Sequence, residues 1–397
     1  MSGAPAAVPS PEPGRALAGL RVLDLAGEPG AYASRLLADL GAEVLRLEIA
    51  ADADDPGVRD HWLAAYDAFT NAGKRRTVFA DPERLRAQVR AVAPEADVLI
   101  EEVGADGAPR WTAGMAEVRD ADLVHVVLSP RGLGVGGPEG RSDDLLVMAD
   151  GGLLHLGGYV DEGPVVAHGA QSWLGSSIFG AVAALAGVLD KERGGDGGTY
   201  DVSAQECIAQ ALEDSAPGYA LTGAVRQRLG ERPREAGTGV YPCRDGHVSM
   251  VAGRLGTARA WRALVDWLNE AGAPGAEHLR EERWGDFAFR QSPAGVDGFA
   301  AVFLPFAAQH DKAELYREAQ SRMIALSPVS TVADLRENPQ LLHRRFFVHV
   351  PGPDGELVFP GPPYRLSGSP VRPAAPVVEE PTAAWRTPLV RVGGADG

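Results

Sequence analysis

Cysteine is almost absent: Cys207 and Cys243 are the only two among 397 residues. That is too few for a disulfide framework or a cysteine-rich metal site, and both read as small core residues. No histidine pair stands at the spacing of a two-His metal helix, so no metal is expected. Uninterrupted apolar runs of ~18 residues are lacking, and the first residues do not follow the basic-then-apolar order of a signal peptide. Both features predict a soluble, cytoplasmic protein with no membrane partner. Positive charge is in deficit, because 38 Lys and Arg against 54 Asp and Glu leave a net charge of −16. Such a field repels nucleic acid and anionic lipid, so no nucleic-acid partner is expected and an anionic ligand needs a local basic pocket.

What is present is an ordinary globular composition, with 45% hydrophobic and 23% charged residues. The length suffices for a large domain and a smaller one. Residues 20–25 (LRVLDL) form a short β-type run, followed by a turn at Gly27-Glu28-Pro29-Gly30. A helical pattern over 31–40 closes at Gly41, and a second β-type run covers 43–48. This is a βαβ unit. Further strands are predicted at 96–101 and 123–129, with a helix over 82–93 before the first of them. Strands separated by helices imply a parallel sheet, whose ligands lie beyond the carboxyl ends of the strands.

After Gly151 the texture turns glycine-rich, with one long Ala/Gly helix predicted over 174–191. Residues 239–252 alternate around Asp245-Gly246 as a hairpin that opens a second domain. Trp261, Leu264, Val265 and Leu268 then share one helical face, which is a core stripe. Residues 1–13 and the stretch from about Ser369 are Pro- and Ala-rich, as irregular tails or wrapping arms are.

Four local signals bear on chemistry. Residues 132–137 (GLGVGG) fit the spacing of a dinucleotide fingerprint, but Pro138, Glu139 and Gly140 follow where a helix should open, so a loop is the better reading. Lys74-Arg75-Arg76 is the densest basic cluster and suits either a phosphate clamp or a solvated turn. His168, in the loop before the Ala/Gly helix, is a candidate acid or base, or simply structural. Adjacent Asp143 and Asp144 precede an apolar helix, where an N-cap competes with acid–base work.

Taken in order, the segments 17–25 (LAGLRVLDL), 36–48 (LLADLGAEVLRLE), 73–81 (GKRRTVFAD), 96–101 (ADVLIE), 144–152 (DLLVMADGG), 200–206 (YDVSAQE), 239–246, 334–341 (DLRENPQL) and 359–363 (FPGPP) resemble the family III CoA-transferases. That group holds formyl-CoA and carnitine CoA-transferases and alpha-methylacyl-CoA racemase. The resemblance implies an α/β fold: a Rossmann-like large domain with a parallel sheet, built from 14–215 and 327–397, and a smaller α+β domain over 216–326. It also implies an interlocked homodimer, and coenzyme A or an acyl-CoA as substrate. In such transferases an aspartate attacks the thioester, and CoA passes through an aspartyl thioester to a second carboxylic acid.

The position that matches this aspartate is Trp173, and the glycine four residues on is Ser177. An indole has no carboxylate, so the aspartyl-CoA route cannot run there. The racemase histidine falls at Asp143, and a basic contact after the second strand is replaced by Ile49. Arg75 or Arg76, Arg110 and Arg141 match the family's cationic CoA contacts, while Glu28 is introduced beside the thioester. The expected function is therefore an acyl-CoA-handling enzyme with diverged chemistry, with Glu28, Asp143 or His168 acting on an acyl thioester or carboxylic acid. The alternatives are a CoA-independent enzyme of specialised metabolism and a non-catalytic binding or partner protein on the same fold.

Overall fold

The computed structural model describes residues 14–50, 61–119, 122–136, 143–228, 230, 233–252, 258–352, 355–369, 376–378 and 384–386. Arg141, the glycine-loop residues from Gly137 to Gly140, and the first thirteen residues lie outside the described residues. The chain divides into two compact units: 1–155 with 166–225 and 340–397, and 156–165 with 226–339.

The first unit is built on a seven-stranded sheet. Its strands are β1 (Arg21–Asp24), β2 (Glu43–Ile49), β3 (Arg75–Phe79), β4 (Val98–Glu102), β5 (Val124–Ser129), β6 (Gly198–Ser203) and β12 (Val377–Val378), in spatial order β12-β3-β2-β1-β4-β5-β6. Every pairing is parallel. This is the doubly wound Rossmann-like order, with a seventh strand contributed by the C-terminal arm. Trp385 on that arm donates its indole N–H to the Val92 carbonyl at 3.0 Å.

Two strands differ from the sequence expectation. β3 begins with Arg75-Arg76, which masks its β character, yet paired strand position and nearby carboxylates accommodate both charges. β6 was hidden among glycines, and its Thr-Tyr-Asp-Val core shows the β pattern only once it lies against β5. The Gly27–Gly30 turn also differs: α1 (Glu28–Leu40) starts inside it, with Gly27 as N-cap and Pro29 in the first turn, where a missing N–H costs nothing.

Apolar side chains cover both sheet faces. Leu23, Leu45, Leu47 and Leu99 meet α2 (Pro82–Val92) on one side. Val22, Val44, Val98 and Val126 meet α1 and α4 (Gln171–Glu192) on the other. Between them in sequence lies α3 (Asp144–Asp150). The helix α4 is three residues longer at its start than its Ala/Gly pattern indicated, which brings Trp173 into its first turn. By length and composition it could cross a membrane, although no uninterrupted apolar run of that length is expected from the sequence, because its serines and glycines carry no charge. Here it packs on α1, β5 and β6 as the core helix of the sheet.

The second unit contains the antiparallel sheet β7 (Thr238–Cys243), β8 (Gly246–Val251) and β9 (Ala325–Pro328). The predicted hairpin is present, and the stripe residues Trp261, Leu264, Val265 and Leu268 are all buried against Phe299 and Phe303. A separate antiparallel hairpin, β10 (Phe347–Gly352) with β11 (Gly355–Pro360), returns to the first unit.

Candidate active site

In a sheet of this order the strand sequence reverses between β1 and β4, and ligands bind beyond the carboxyl ends of those two strands. Asp24 closes β1 and is fully buried. Lys74 Nζ donates to its Oδ2 at 2.9 Å, Ser34 Oγ at 2.6 Å and Arg46 Nη1 at 3.2 Å. Burial alone would raise the Asp24 carboxyl, but Lys74, Arg46 and the Ser34 hydroxyl hold it below its ordinary value. Burial pushes Lys74 down to about 8. The same ammonium donates to the Ala31 carbonyl at 2.6 Å and to Asn71 Oδ1 at 3.1 Å. Lys74 therefore fastens the start of β3 to the first turn of α1.

Above this network sits a group of carboxylates. Glu28 opens α1 and faces solvent. Glu102 ends β4 and lies so close to Gly27 that a Cβ there would stand 2.7 Å from its Oε2. Asp144 opens α3, and its Oδ1 accepts from Ser172 N at 2.7 Å and Ser172 Oγ at 2.6 Å. Burial, then Asp144, then Glu102 raise the Glu28 carboxyl above the usual range. Burial and the Glu28 and Asp144 charges likewise push the Tyr66 phenol up. Three segments far apart in sequence thus place acid at the point where this fold usually receives phosphate.

The predicted residues fall as follows. Trp173 is 5% exposed and packed among Val147, Met148, Ala170, Ala204 and Ile208. Ser177 Oγ donates to the Pro29 carbonyl at 3.0 Å, so this hydroxyl ties α4 to the turn opening α1. Asp143 is the N-cap of α3, its Oδ1 accepting from Leu146 N at 3.0 Å. His168 lies on the exposed loop before α4, and its carbonyl accepts from Gln171 Nε2 at 2.7 Å.

The cationic candidates are matched inside the fold. Arg75 pairs with Glu43, Arg76 with Glu48 at 2.9 Å and Asp67 at 2.7 Å. Arg110 pairs with Glu102 at 2.6 Å and lies over the Trp111 ring. The glycine loop is structural in its described part. Gly132 N donates to Ser129 Oγ at 2.7 Å, Leu133 N to Asp201 Oδ2 at 2.9 Å and Gly134 N to Gly107 O at 2.8 Å. Those amides have no hydrogen left for a phosphate. Glu102 is the site residue that sequence reasoning did not single out, although its position at a strand's carboxyl end is itself a signal, while Lys74 was read only within the basic cluster and Asp144 only as half of an acidic pair.

Among known proteins, the chain is 32% identical over 370 residues to the succinyl-CoA:(R)-benzylsuccinate CoA-transferase subunit BbsE of Thauera aromatica, covering 87% of each. It is 27% identical over 388 residues to the succinyl-CoA–L-malate CoA-transferase alpha subunit of Chloroflexus aurantiacus, covering 93% of this chain and 88% of that one. The crystal structure of a CAIB/BAIF family protein from Brucella suis has the same fold, with a TM-score of 0.75 at 24% identity, over 91% of this chain and 96% of the other. The family model for CoA-transferase family III matches residues 17–382, and with a relative at this identity across most of both chains, the protein belongs to that family.

Proposed function

We propose that this chain is the non-nucleophilic subunit of a two-chain family III CoA-transferase that uses succinyl-CoA or a similar thioester, and that the nucleophilic carboxylate comes from the other chain. The observation that carries this is Trp173, buried among apolar side chains at the position where the family resemblance puts the aspartate. A carboxylate there attacks the thioester; an indole packed on Met148 and Ile208 does not. Both named relatives are subunits. The charge pattern supports the same role, since Glu28, Glu102 and Asp144 crowd the α1 N-terminus while Arg75, Arg76 and Arg110 already have acidic partners. A partner surface is at hand: Ile178, Phe179, Val182 and Leu189 on α4 and Leu145 and Leu146 on α3 are exposed. The assembly is then the interlocked pair of the family resemblance, formed with a second, different chain, in the cytoplasm.

The test uses the purified chain alone with succinyl-CoA and isotope-labelled succinate. No exchange of CoA into the labelled acid is expected, and hydroxylamine or borohydride treatment leaves Glu28 unmodified. Exchange by the chain alone, abolished in Glu28→Gln, overturns the proposal. That result would install a second reading, carried by the raised carboxyl of Glu28 at the helix N-terminus, in which a glutamyl-CoA thioester replaces the aspartyl one.

A further inference from the structure

A cavity at the far edge of the parallel sheet has no part in that reading. β6 is the edge strand, and its register with β5 puts Thr199 beside His125 on one face. The chain leaving β4 folds back beside this face and shapes a half-open cavity of about 390 Å3, lined by Pro109, Thr112, Met115, Leu123, His125 and Thr199 among others. That exceeds the roughly 150 Å3 of an engineered apolar cavity that admits benzene.

Behind the lining, Glu101 is fully buried. Its Oε2 accepts from Trp111 N at 2.9 Å and Thr112 N at 3.3 Å. Its Oε1 accepts from Thr112 Oγ1 and, at 2.8 Å, from His125 Nε2. Glu101 Oε1 is the acceptor in this pair, so Nε2 of His125 donates, and in the neutral imidazole that tautomer leaves the lone pair on Nδ1. Nδ1 has no hydrogen-bond partner among the described residues. The arrangement is a tautomer-fixed imidazole in the wall of a mainly apolar cavity, braced by a buried acid and a threonine.

We infer that this cavity is a second binding site, for a small and mainly apolar molecule that carries one hydroxyl or N–H, of which phenol is the simplest. The donor meets Nδ1 of His125, and the ring lies against Pro109, Met115 and Leu123. The site is independent of CoA transfer, since none of its lining residues belongs to the carboxylate group around Glu28.

The experiment is a titration of the full chain with phenol, and with toluene as the control without a donor. It is followed by long-range 1H–15N NMR of the imidazoles, the His125 signals being assigned with His125→Gln. A saturable shift of His125 Nδ1 with phenol is expected, with toluene about tenfold weaker, as the loss of one hydrogen bond gives. Thr199→Trp lays an indole over the cavity from an exposed edge strand, and should weaken phenol about tenfold with the melting midpoint unchanged. Equal affinities for phenol and toluene, saturation without movement of His125, or no saturable shift in the unaltered chain each overturn the site. If Thr199→Trp does not fold, the comparison of the two probes in the unaltered chain still decides.

Discussion

Gly27 and Glu102 approach each other so closely that a methyl group on Gly27 would stand 2.7 Å from Glu102 Oε2 and 2.9 Å from Oε1. The end of β4 and the start of α1 are therefore in contact through a position that holds no side chain. Glu102 is not free to swing away, because Arg110 holds it at 2.6 Å. Gly27→Ala is expected to cost about 1–3 kcal/mol, as overpacking of a tight contact does. Urea denaturation of Gly27→Ala, Glu102→Ala and the double variant should show the cost largely removed when the carboxylate is absent. An unchanged cost in the double variant would place the strain elsewhere.

Trp173 is a packing residue in this chain. Removing its indole from between Met148 and Ile208 leaves a large void, so Trp173→Ala should lose about 3–5 kcal/mol of stability. A loss below about 1 kcal/mol in chemical denaturation would show that the ring is not held as described.

Lys74 is expected to matter more than its neighbours Arg75 and Arg76. Replacing it with Met leaves Asp24 buried with one of its two cations gone and frees the Ala31 carbonyl. A broken buried pair costs about 3–5 kcal/mol, whereas Arg76→Met should cost less, because its buried partner Glu48 keeps Arg46 at 3.1 Å and its other partner Asp67 is exposed. Equal effects of the two substitutions would contradict the network around Asp24.

The raised carboxyl of Glu28 has a consequence for pH dependence. Between the ordinary carboxylate pKa and the raised one, the folded chain binds more protons than the unfolded chain, so stability falls as pH rises through that window. Glu28→Gln removes this penalty. Its melting temperature should exceed the parent's at neutral pH, and the two should converge below about pH 4, where the carboxyl is protonated in both states. A variant that melts lower than the parent at neutral pH would mean that the ionised Glu28 is stabilising.

Much of the fold was readable because its signals are local. The apolar runs of β1, β2, β4 and β5 and the capped helix between the first two follow from neighbouring residues alone, and so does the Asp245-Gly246 hairpin. Of the candidate site, the residue identities were readable, the indole at position 173 among them. Its electrostatics were not, because whether Arg75 or Arg110 is available to a ligand depends on Glu43 and Glu102, and those pairs form only when β2 lies on β3 and the chain after β4 turns back. The same holds for Asp143, which a sequence pattern leaves between cap and catalyst until its Oδ1 is seen on the Leu146 amide.

The sequence by itself determined the element order, the parallel architecture and the excess of negative charge, since these need only residue identity and spacing. The tertiary structure alone decided that Glu102 and Asp144 stand near Glu28 at the start of α1, that Lys74 is buried on Asp24, and that His125 stands in a cavity wall braced by Glu101. Charge and hydrogen bonding act over a few ångströms of space, and 74 residues of chain separate Glu28 from Glu102.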